Sequence, residues 1–278
     1  MPRHEEGFFP AQDNLRLFWE SDTPDTEPRA VVGILHGFAD HIGRYRAVRG
    51  ALLTAGFAVF GLDMRGHGQS DGKRGHVDAF SEYVDDLERF FARMKDAAKG
   101  KPLFFLAHSN GALVALLYFA RKPAGLTGAV LSSPFLGLAF KPPVVKVMAA
   151  KVMNHVLPSV VMGNELDVVQ LSRDVAWQES TARDPLYHHV VSSRWFVEAG
   201  RAQERVRASG GSVTLPLLVL TGGEDRIAAA PVTLSFFESL ASGDKQYKQY
   251  PGMRHELLNE LGKEEVFGDV VRWISAHS

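Results

Sequence analysis

The amino-acid sequence predicts an α/β fold in which a mostly parallel central sheet is covered by helices on both faces. Short apolar runs alternate with segments of helical periodicity along most of the chain. The runs are too continuously apolar to be half-exposed strands, so they predict central strands. Alternation of strands with helices predicts parallel strands joined by crossover helices. The five runs are residues 30–37, 57–63, 102–108, 126–133 and 214–222.

The remaining elements follow in chain order. Residues 14–20 alternate apolar and polar side chains, which predicts an antiparallel hairpin at the edge of the sheet. Helical spacing follows the first two central runs and stops at Gly56 and Gly100, as expected of glycines at helix ends. Residues 245–250 predict a weaker strand, and the segment from Leu257 closes the fold as a helix. The residues with helical spacing are Tyr45, Val48 and Leu52; Val84, Leu87, Phe91 and Met94; and Val266, Val270 and Trp273.

One long segment, residues 134–210, interrupts this alternation after the sixth predicted strand. It contains no convincing strand pattern, and its composition indicates helices and turns. We therefore predict a division into a core, residues 1–133 and 211–278, and a helical cap or lid, residues 134–210. Ligands of open parallel sheets bind beyond the carboxyl ends of the strands, which such a cap would cover.

Composition excludes several classes of function. Of 278 residues, 31 are Lys or Arg and 32 are Asp or Glu, so no basic excess indicates nucleic-acid binding. The chain contains no cysteine, which excludes disulfides, thiolate metal sites and a cysteine nucleophile. Neither a signal-peptide pattern nor an apolar stretch of about 18 residues is present, which favours a soluble, cytoplasmic protein.

Ser109 stands where a buried strand must turn sharply into a helix. Crowding at such a bend favours small residues two places to either side, and Ala107 and Gly111 supply them. The alternative interpretation is a serine that caps the helix N-terminus. The pattern resembles the nucleophile elbow of the α/β-hydrolase family, G-x-S-x-G, with alanine in place of the first glycine.

A nucleophilic serine needs a histidine base, and the histidine needs a carboxylate to orient it. The family resemblance implies the chain order serine, acid, histidine, which matches Ser109, Asp225 and His255, each after a predicted strand. Glu224 is the competing acid, but the family pattern favours Asp225. The neighbouring candidates are interpreted structurally: His108 as a buried histidine with satisfied hydrogen bonds, and Glu256 and His277 as solvated helix residues.

The resemblance also implies an oxyanion hole built from two backbone N–H groups. We assign them to Phe38, in the loop after the first central strand, and to Asn110, which follows the serine. His36 and Gly37 support this loop. A metal site at His36, Asp40 and His41 is the weaker alternative, because nothing in the sequence makes those side chains converge. Arg65 and His67, in "LDMRGHGQSDG", are interpreted as residues that hold neighbouring loops by hydrogen bonds.

Five motifs spread over most of the chain resemble the monoacylglycerol lipase and lysophospholipase branch of the α/β hydrolases. They are "HGFADHIGRY", "LDMRGHGQSDG", "AHSNG", "GGEDRI" and "GMRHELLNE". The resemblance implies hydrolysis of a lipid ester with one acyl chain through an acyl-serine, with no metal and no organic cofactor. Lysophospholipase, carboxylesterase and thioesterase activities remain alternatives, as does a non-catalytic binding protein.

The helical pattern at residues 144–157 has an apolar arc wider than one helix face needs. Packing against a neighbouring helix is the commoner explanation of such an arc. The alternative explanation, which makes a more specific functional prediction, is a lid that faces lipid and contacts a membrane surface transiently. The sequence carries no indication of oligomeric state.

Overall fold

The structure, a computed structural model, describes residues 2–278. The strands in this part of the chain are β1 (Arg3–Pro10), β2 (Arg16–Thr23), β3 (Val31–Leu35), β4 (Ala58–Leu62), β5 (Leu103–His108), β6 (Gly128–Ser132), β7 (Val161–Gly163), β8 (Val190–Ser192), β9 (Leu217–Gly222) and β10 (Lys245–Tyr250). The α-helices are α1 (Arg46–Thr54), α2 (Phe80–Ala98), α3 (Asn110–Phe119), α4 (Val144–Val156), α5 (Val168–Leu171), α6 (Val175–Ala182), α7 (Ser193–Ala208), α8 (Ala230–Ser239) and α9 (Lys263–Ala276).

Eight strands form one sheet in the order β1-β2-β4-β3-β5-β6-β9-β10. β1 pairs antiparallel with β2, and β2 pairs antiparallel with β4, which makes the predicted edge hairpin. All later neighbours in the sheet pair in parallel. The mostly parallel sheet is therefore confirmed, and its strands end at one shared edge where their following loops meet.

Helices cover both faces of this sheet, so the central strands are buried on both sides. Alternate residues of β3 enter two separate apolar clusters, because successive side chains of a strand point to opposite faces. Val31 and Leu35 pack in the cluster that contains side chains of α2, α3 and α8. Val32 and Ile34 pack in the cluster that contains side chains of α1 and α9. The continuous apolar runs of the sequence reflect this double burial.

Helices α4 to α7 occupy the segment between β6 and β9. Its two three-residue strands, β7 and β8, pair antiparallel with each other, which the sequence did not predict. Runs of three residues are too short to show strand periodicity, and only their pairing identifies them. α7 packs against α3 and α2, whereas α4 packs mainly against α7. No helix within residues 2–278 has the length and apolar character needed to cross a membrane.

Candidate active site

Ser109 lies at the turn between β5 and α3 with φ 50° and ψ −114°, a backbone conformation that residues other than glycine rarely adopt. Its side chain forms no capping hydrogen bond with α3. The hydroxyl oxygen instead lies 2.8 Å from Nε2 of His255. The strained turn therefore presents the hydroxyl to the histidine rather than to the helix terminus.

The small residues beside Ser109 allow α3 to approach the sheet closely. A Cβ atom on Gly111 would lie 2.6 Å from the carbonyl oxygen of His36 and 2.7 Å from that of Leu35. Both obstacles are backbone atoms of the neighbouring strand end, which cannot rotate away. Ala107 is fully buried on the strand side of the turn. A larger residue at either position would push the serine away from the end of β3.

His255 and Asp225 reach Ser109 from the loops after β10 and β9. Nδ1 of His255 lies 2.8 Å from Oδ2 of Asp225, so the Nδ1–H group donates a hydrogen bond to the carboxylate and Nε2 is free to accept one from the serine hydroxyl. The other oxygen of Asp225 accepts hydrogen bonds from the N–H groups of Ile227 and Ala228, at 2.8 and 2.9 Å. These bonds hold the carboxylate in place, and its side chain is only 2% exposed.

Glu224, the competing acid, is exposed to solvent one residue before Asp225. Its own N–H donates to the carbonyl of Met253 at 2.9 Å. The structure thus brings Asp225, and not Glu224, into hydrogen-bond contact with His255.

The loop after β3 packs directly on the serine. A Cβ atom on Gly37 would lie 3.4 Å from Cβ of Ser109 and 3.1 Å from the ring of His108, so glycine permits this approach. Within residues 2–278, the N–H groups of Phe38 and Asn110 donate to no acceptor. The ring of Phe38 lies 3.9 Å from that of Trp195 on α7, measured between centroids. The loop is therefore fixed from both sides, and both N–H groups remain available.

His36 sets the shape of this loop by two hydrogen bonds of its ring. Nδ1 donates to the carbonyl of Gly37 at 2.7 Å, and Nε2 accepts from the N–H of Met64 at 2.9 Å. This pattern requires the neutral ring, since a protonated ring could not accept from Met64. Complete burial agrees with it, because desolvation lowers the pKa of His36 to about 3.

Glu256 corrects the sequence-based interpretation, which placed it on a solvated helix face. It is buried in the loop that carries His255, and its Oε1 lies 3.1 Å from Nε2 of His108. Burial alone would raise the pKa of the Glu256 carboxyl, but the charge and hydrogen bond of His108, together with the interactions with His255 and Asn259, outweigh burial and lower the pKa to about 2. Burial would likewise lower the pKa of His108, and the Glu256 carboxylate raises it. The two form a buried ion pair beside His255.

The sequence reasoning missed this pair because it treated each residue alone. His108 is buried with hydrogen-bond partners, as predicted, and its ring centroid lies 5.0 Å from that of His255. The adjacency of Glu256 to His255 in the chain was the available signal. His277 lies at the C-terminal end of α9, where Nε2 is 2.9 Å from Asp244.

The residues considered as metal ligands turn toward different partners. Nε of Arg44 lies 3.0 Å from Asp40, and Nε2 of His41 lies 2.8 Å from Asp184. His36 bonds within its own loop, as described above. Three side chains with three separate partners do not form one ligand set, so this geometry does not support the metal interpretation of the loop.

Arg65 and His67 hold loops, as the sequence analysis predicted. The guanidinium of Arg65 bonds Asp86 on α2 at 2.6 and 2.8 Å, and it also reaches Asp13 and Glu82. Nδ1 of His67 donates to the carbonyl of Arg65 at 2.9 Å. These bonds tie the loop after β4 to the β1–β2 hairpin and to α2.

A cavity of about 250 Å³ lies over Ser109, and we call it the serine cavity. Its lining includes Ser109, His255 and the Gly37–Phe38 loop. Most of the remaining lining residues come from the segment between β6 and β9, and many of them are apolar. They include Leu138, Phe140, Val147, Met162 and Leu171. The nucleophile candidate therefore faces a partly apolar chamber whose lining comes largely from the segment between β6 and β9.

The sequence of this chain matches the family model described as serine aminopeptidase, S33, over residues 26–262. It is 34% identical over 276 residues to a monoacylglycerol lipase of Mycolicibacterium smegmatis, which covers 98% of this chain and 97% of that protein. It is 33% identical over 254 residues to the phospholipase YtpA of Bacillus subtilis, covering 90% of this chain and 95% of the relative.

Among solved structures, the fold is similar to the crystal structure of the Paleococcus ferrophilus monoacylglycerol lipase. The TM-score is 0.84 at 29% sequence identity, and the match covers 99% of this chain and 100% of the other. The matches to the family model, to the two relatives and to the solved structure thus each extend over most of this chain.

Proposed function

The chain belongs to the serine aminopeptidase S33 family of α/β hydrolases, and from this premise we propose that it hydrolyses the ester of lipids with one acyl chain, most readily monoacylglycerols. It is an ester hydrolase similar to monoacylglycerol lipases. The observation that carries the proposal is the line of hydrogen bonds from Asp225 through His255 to Ser109, with its hydroxyl in the serine cavity.

In the proposed mechanism, Nε2 of His255 takes the proton of the Ser109 hydroxyl as the oxygen attacks the ester carbonyl carbon. Asp225 holds the ring in the tautomer that leaves Nε2 unprotonated, and it stabilises the imidazolium that forms. The imidazolium then gives its proton to the departing glycerol oxygen, which leaves an acyl-serine. Water, deprotonated by the same nitrogen, releases the fatty acid and restores the serine. No step needs a metal or an organic cofactor.

The oxyanion of each tetrahedral intermediate is assigned to the N–H groups of Phe38 and Asn110. In the part of the chain that the structure describes, neither donor has another acceptor, so both can bind the developing charge without giving up an existing hydrogen bond. The loop of Phe38 is fixed by His36 and by the contact with Trp195. Donors held in place before the reaction stabilise the transition state without a reorganisation cost.

The acyl chain is assigned to the apolar lining residues that the segment between β6 and β9 contributes to the serine cavity. We propose residues 134–210 as the cap and residues 1–133 with 211–278 as the hydrolase core. Each methylene buried under the cap contributes up to about 0.8 kcal/mol, so medium and long chains should be preferred over acetyl. At about 250 Å³ the serine cavity has no room for a second chain, which favours monoacylglycerols over di- and triacylglycerols.

A membrane surface is the proposed partner of the cap. Most apolar side chains of α4 are exposed, and Val144, Val145 and Val156 keep between 67% and 79% of their surface accessible. Exposed Phe140 and Leu157 adjoin the two ends of this helix. A contiguous apolar face of this kind is typical of a surface that lies on lipid. Its position beside the serine cavity would allow a substrate to enter from the lipid layer.

Two measurements on purified protein test the proposed function. A fluorophosphonate probe should label Ser109 and leave Ser109→Ala unlabelled, whereas a non-catalytic binding protein would not react. The ratio kcat/KM should then be measured for acetyl, octanoyl and palmitoyl monoglycerides, with trioleoylglycerol and a lysophosphatidylcholine. Preference for acetyl would indicate a small-molecule esterase, and preference for the phospholipid would indicate a lysophospholipase.

A further inference from the structure

A second cavity, of about 450 Å³, is lined mainly by residues of α4 and α7, with no contribution from Ser109, and we call it the distal cavity. Four of its lining residues are polar and exposed to solvent: Lys151, His155, Arg201 and Glu204. Its inner wall is apolar and is shared with the serine cavity. The shared lining residues are Phe135, Leu138, Val147, Trp195 and Phe196. The two chambers are thus separated by one layer of side chains.

The serine cavity alone is small for a long-chain substrate. Drug-sized ligands occupy cavities of about 300–1,000 Å³, and monopalmitoylglycerol is a molecule of that size. The serine cavity has about 250 Å³, part of which must hold the ester and the glycerol. A palmitoyl chain therefore needs further apolar space, which the distal cavity supplies.

The wall between the cavities contains side chains that the core does not hold tightly. Leu138, Val147 and Phe196 are only half-buried. Val147 belongs to α4, a helix in which Asn154 is the one buried residue of thirteen, all of them described by the structure. Side chains with one solvent-facing side change rotamer more easily than packed ones, so the wall can open to an arriving chain.

Gly200, in the interior of α7, lies in the lining of the distal cavity. Apart from the backbone of its own helix and its chain neighbours, no heavy atom of residues 2–278 lies within 4 Å of the place where its Cβ would stand. No close contact requires a glycine here, although glycine destabilises a helix interior relative to alanine. The residue does, however, leave the cavity unfilled.

We propose that the distal cavity receives the end of long acyl chains and that Gly200 determines the longest chain the enzyme uses efficiently. This inference rests on the proposed ester hydrolysis at Ser109. Short chains end within the serine cavity, so their kcat/KM should not depend on the residue at position 200. Long chains pass the shared wall, so a group placed at position 200 should exclude them.

The test fills the distal cavity after folding is complete. Because the chain has no cysteine, Gly200→Cys introduces a unique thiol, which benzyl methanethiosulfonate converts to a benzyl disulfide. The ratio kcat/KM is measured with butanoyl and palmitoyl monoglycerides before labelling, after labelling and after reduction by dithiothreitol. Labelling should lower the palmitoyl value by about tenfold or more and leave the butanoyl value within about twofold, because several methylenes lose their site. Reduction should restore the palmitoyl value.

Arg205→Cys is the matched control, since it places the same disulfide on an exposed position of α7 outside both cavities. Labelling of Arg205→Cys should leave kcat/KM unchanged for both monoglycerides. The inference is overturned if labelled Gly200→Cys keeps its palmitoyl activity, or if both substrates decline equally. A wild-type protein that hydrolyses neither ester contradicts the proposed function instead, so the two failures are distinguishable.

Discussion

Helices α3 and α4 have similar apolar sequences and opposite surroundings. In α3, nine of ten residues are buried between the sheet and the helices around it. In α4, one of thirteen residues is buried, and Val145 keeps 79% of its surface exposed. Both helices contain mostly aliphatic side chains, so composition does not explain the difference.

The difference shows that an apolar helix sequence predicts contact with some apolar surface. It does not predict whether that surface belongs to the protein itself or to another molecule. The protein itself covers α3, and the result is a rigid turn that strains Ser109 into place. The proposed cover of α4 is lipid, and in the free protein that helix stays loosely packed beside the serine cavity. In the proposed function, α3 therefore serves the chemistry and α4 serves the access of substrate.

The largest expected effect concerns the turn before α3. Ser109→Ala should lower kcat by about 10⁶-fold, because it removes the nucleophile. The midpoint of thermal unfolding should stay near the wild-type value, since the hydroxyl does not cap α3. Hydrolysis of a p-nitrophenyl ester measures the first quantity, and calorimetry measures the second. Wild-type turnover by this variant would refute the site assignment.

The acid of the site is tested in the same assay. Asp225→Asn should lower kcat by about 10⁴-fold, because it leaves His255 in the wrong tautomer without removing it. Glu224→Gln is the matched control and should remain close to wild type, since its side chain is exposed and Asp225 holds the histidine. A larger loss in Glu224→Gln than in Asp225→Asn would reverse the choice of acid.

Adding volume should distinguish the two helices sharply. Gly111→Val in α3 should lower the free energy of unfolding by at least about 3 kcal/mol, because its new atoms meet backbone oxygens at the end of β3. Ala149→Val, at an exposed position of α4, should cost less than about 1 kcal/mol, the range of helix propensity. Urea unfolding measures both. Equal losses would mean that α4 is packed as tightly as α3.

The buried and exposed regions should also respond differently to acid. The pKa of His36 is about 3 in the folded protein and about 6.5 in an unfolded chain, so the unfolded state binds its proton first. Stability from the neutral ring is complete above pH 6.5 and is lost as pH falls toward 3, by about 1.4 kcal/mol per pH unit. Between pH 6 and 4, the free energy of unfolding measured in urea should therefore decline less steeply in His36→Gln than in the wild type.

His155→Gln, on exposed α4, is the control for this measurement and should leave the slope unchanged. An unchanged slope in His36→Gln would show that the ring is not held neutral by burial.

The smallest effect on stability and a large effect on binding are expected for the exposed face of α4. Replacing both Val145 and Val152 with glutamate should change the free energy of unfolding by less than about 0.5 kcal/mol, since both side chains are exposed. Sedimentation with phosphatidylcholine vesicles should fall markedly. The double variant with glutamate at Ala92 and Ala97 adds the same charge on exposed positions of α2 and should bind as wild type does. Equal binding by both variants would contradict the proposed lipid contact.

The sequence by itself determined the parallel sheet and the chemistry-bearing residues at its edge. Both signals are local: continuous apolar runs predict strands buried on two faces, and residues directly after such strands meet at one edge. With the chain order that the family resemblance implies, Ser109, Asp225 and His255 could therefore be selected before any coordinates, and the structure places His255 within hydrogen-bond distance of the other two. The choice of Asp225 over Glu224 needed the family pattern as well.

Only the tertiary structure decided what surrounds those residues, because burial depends on segments far apart in the chain. Glu256 was expected in solvent and is buried against His108, 148 residues away. The pairing of β7 with β8 and the exposure of α4 likewise depend on which neighbours are present. The chemical type of a side chain predicts whether it favours burial or solvent. Whether it is in fact buried depends on contacts with residues that are distant in the chain and come together only in the folded protein.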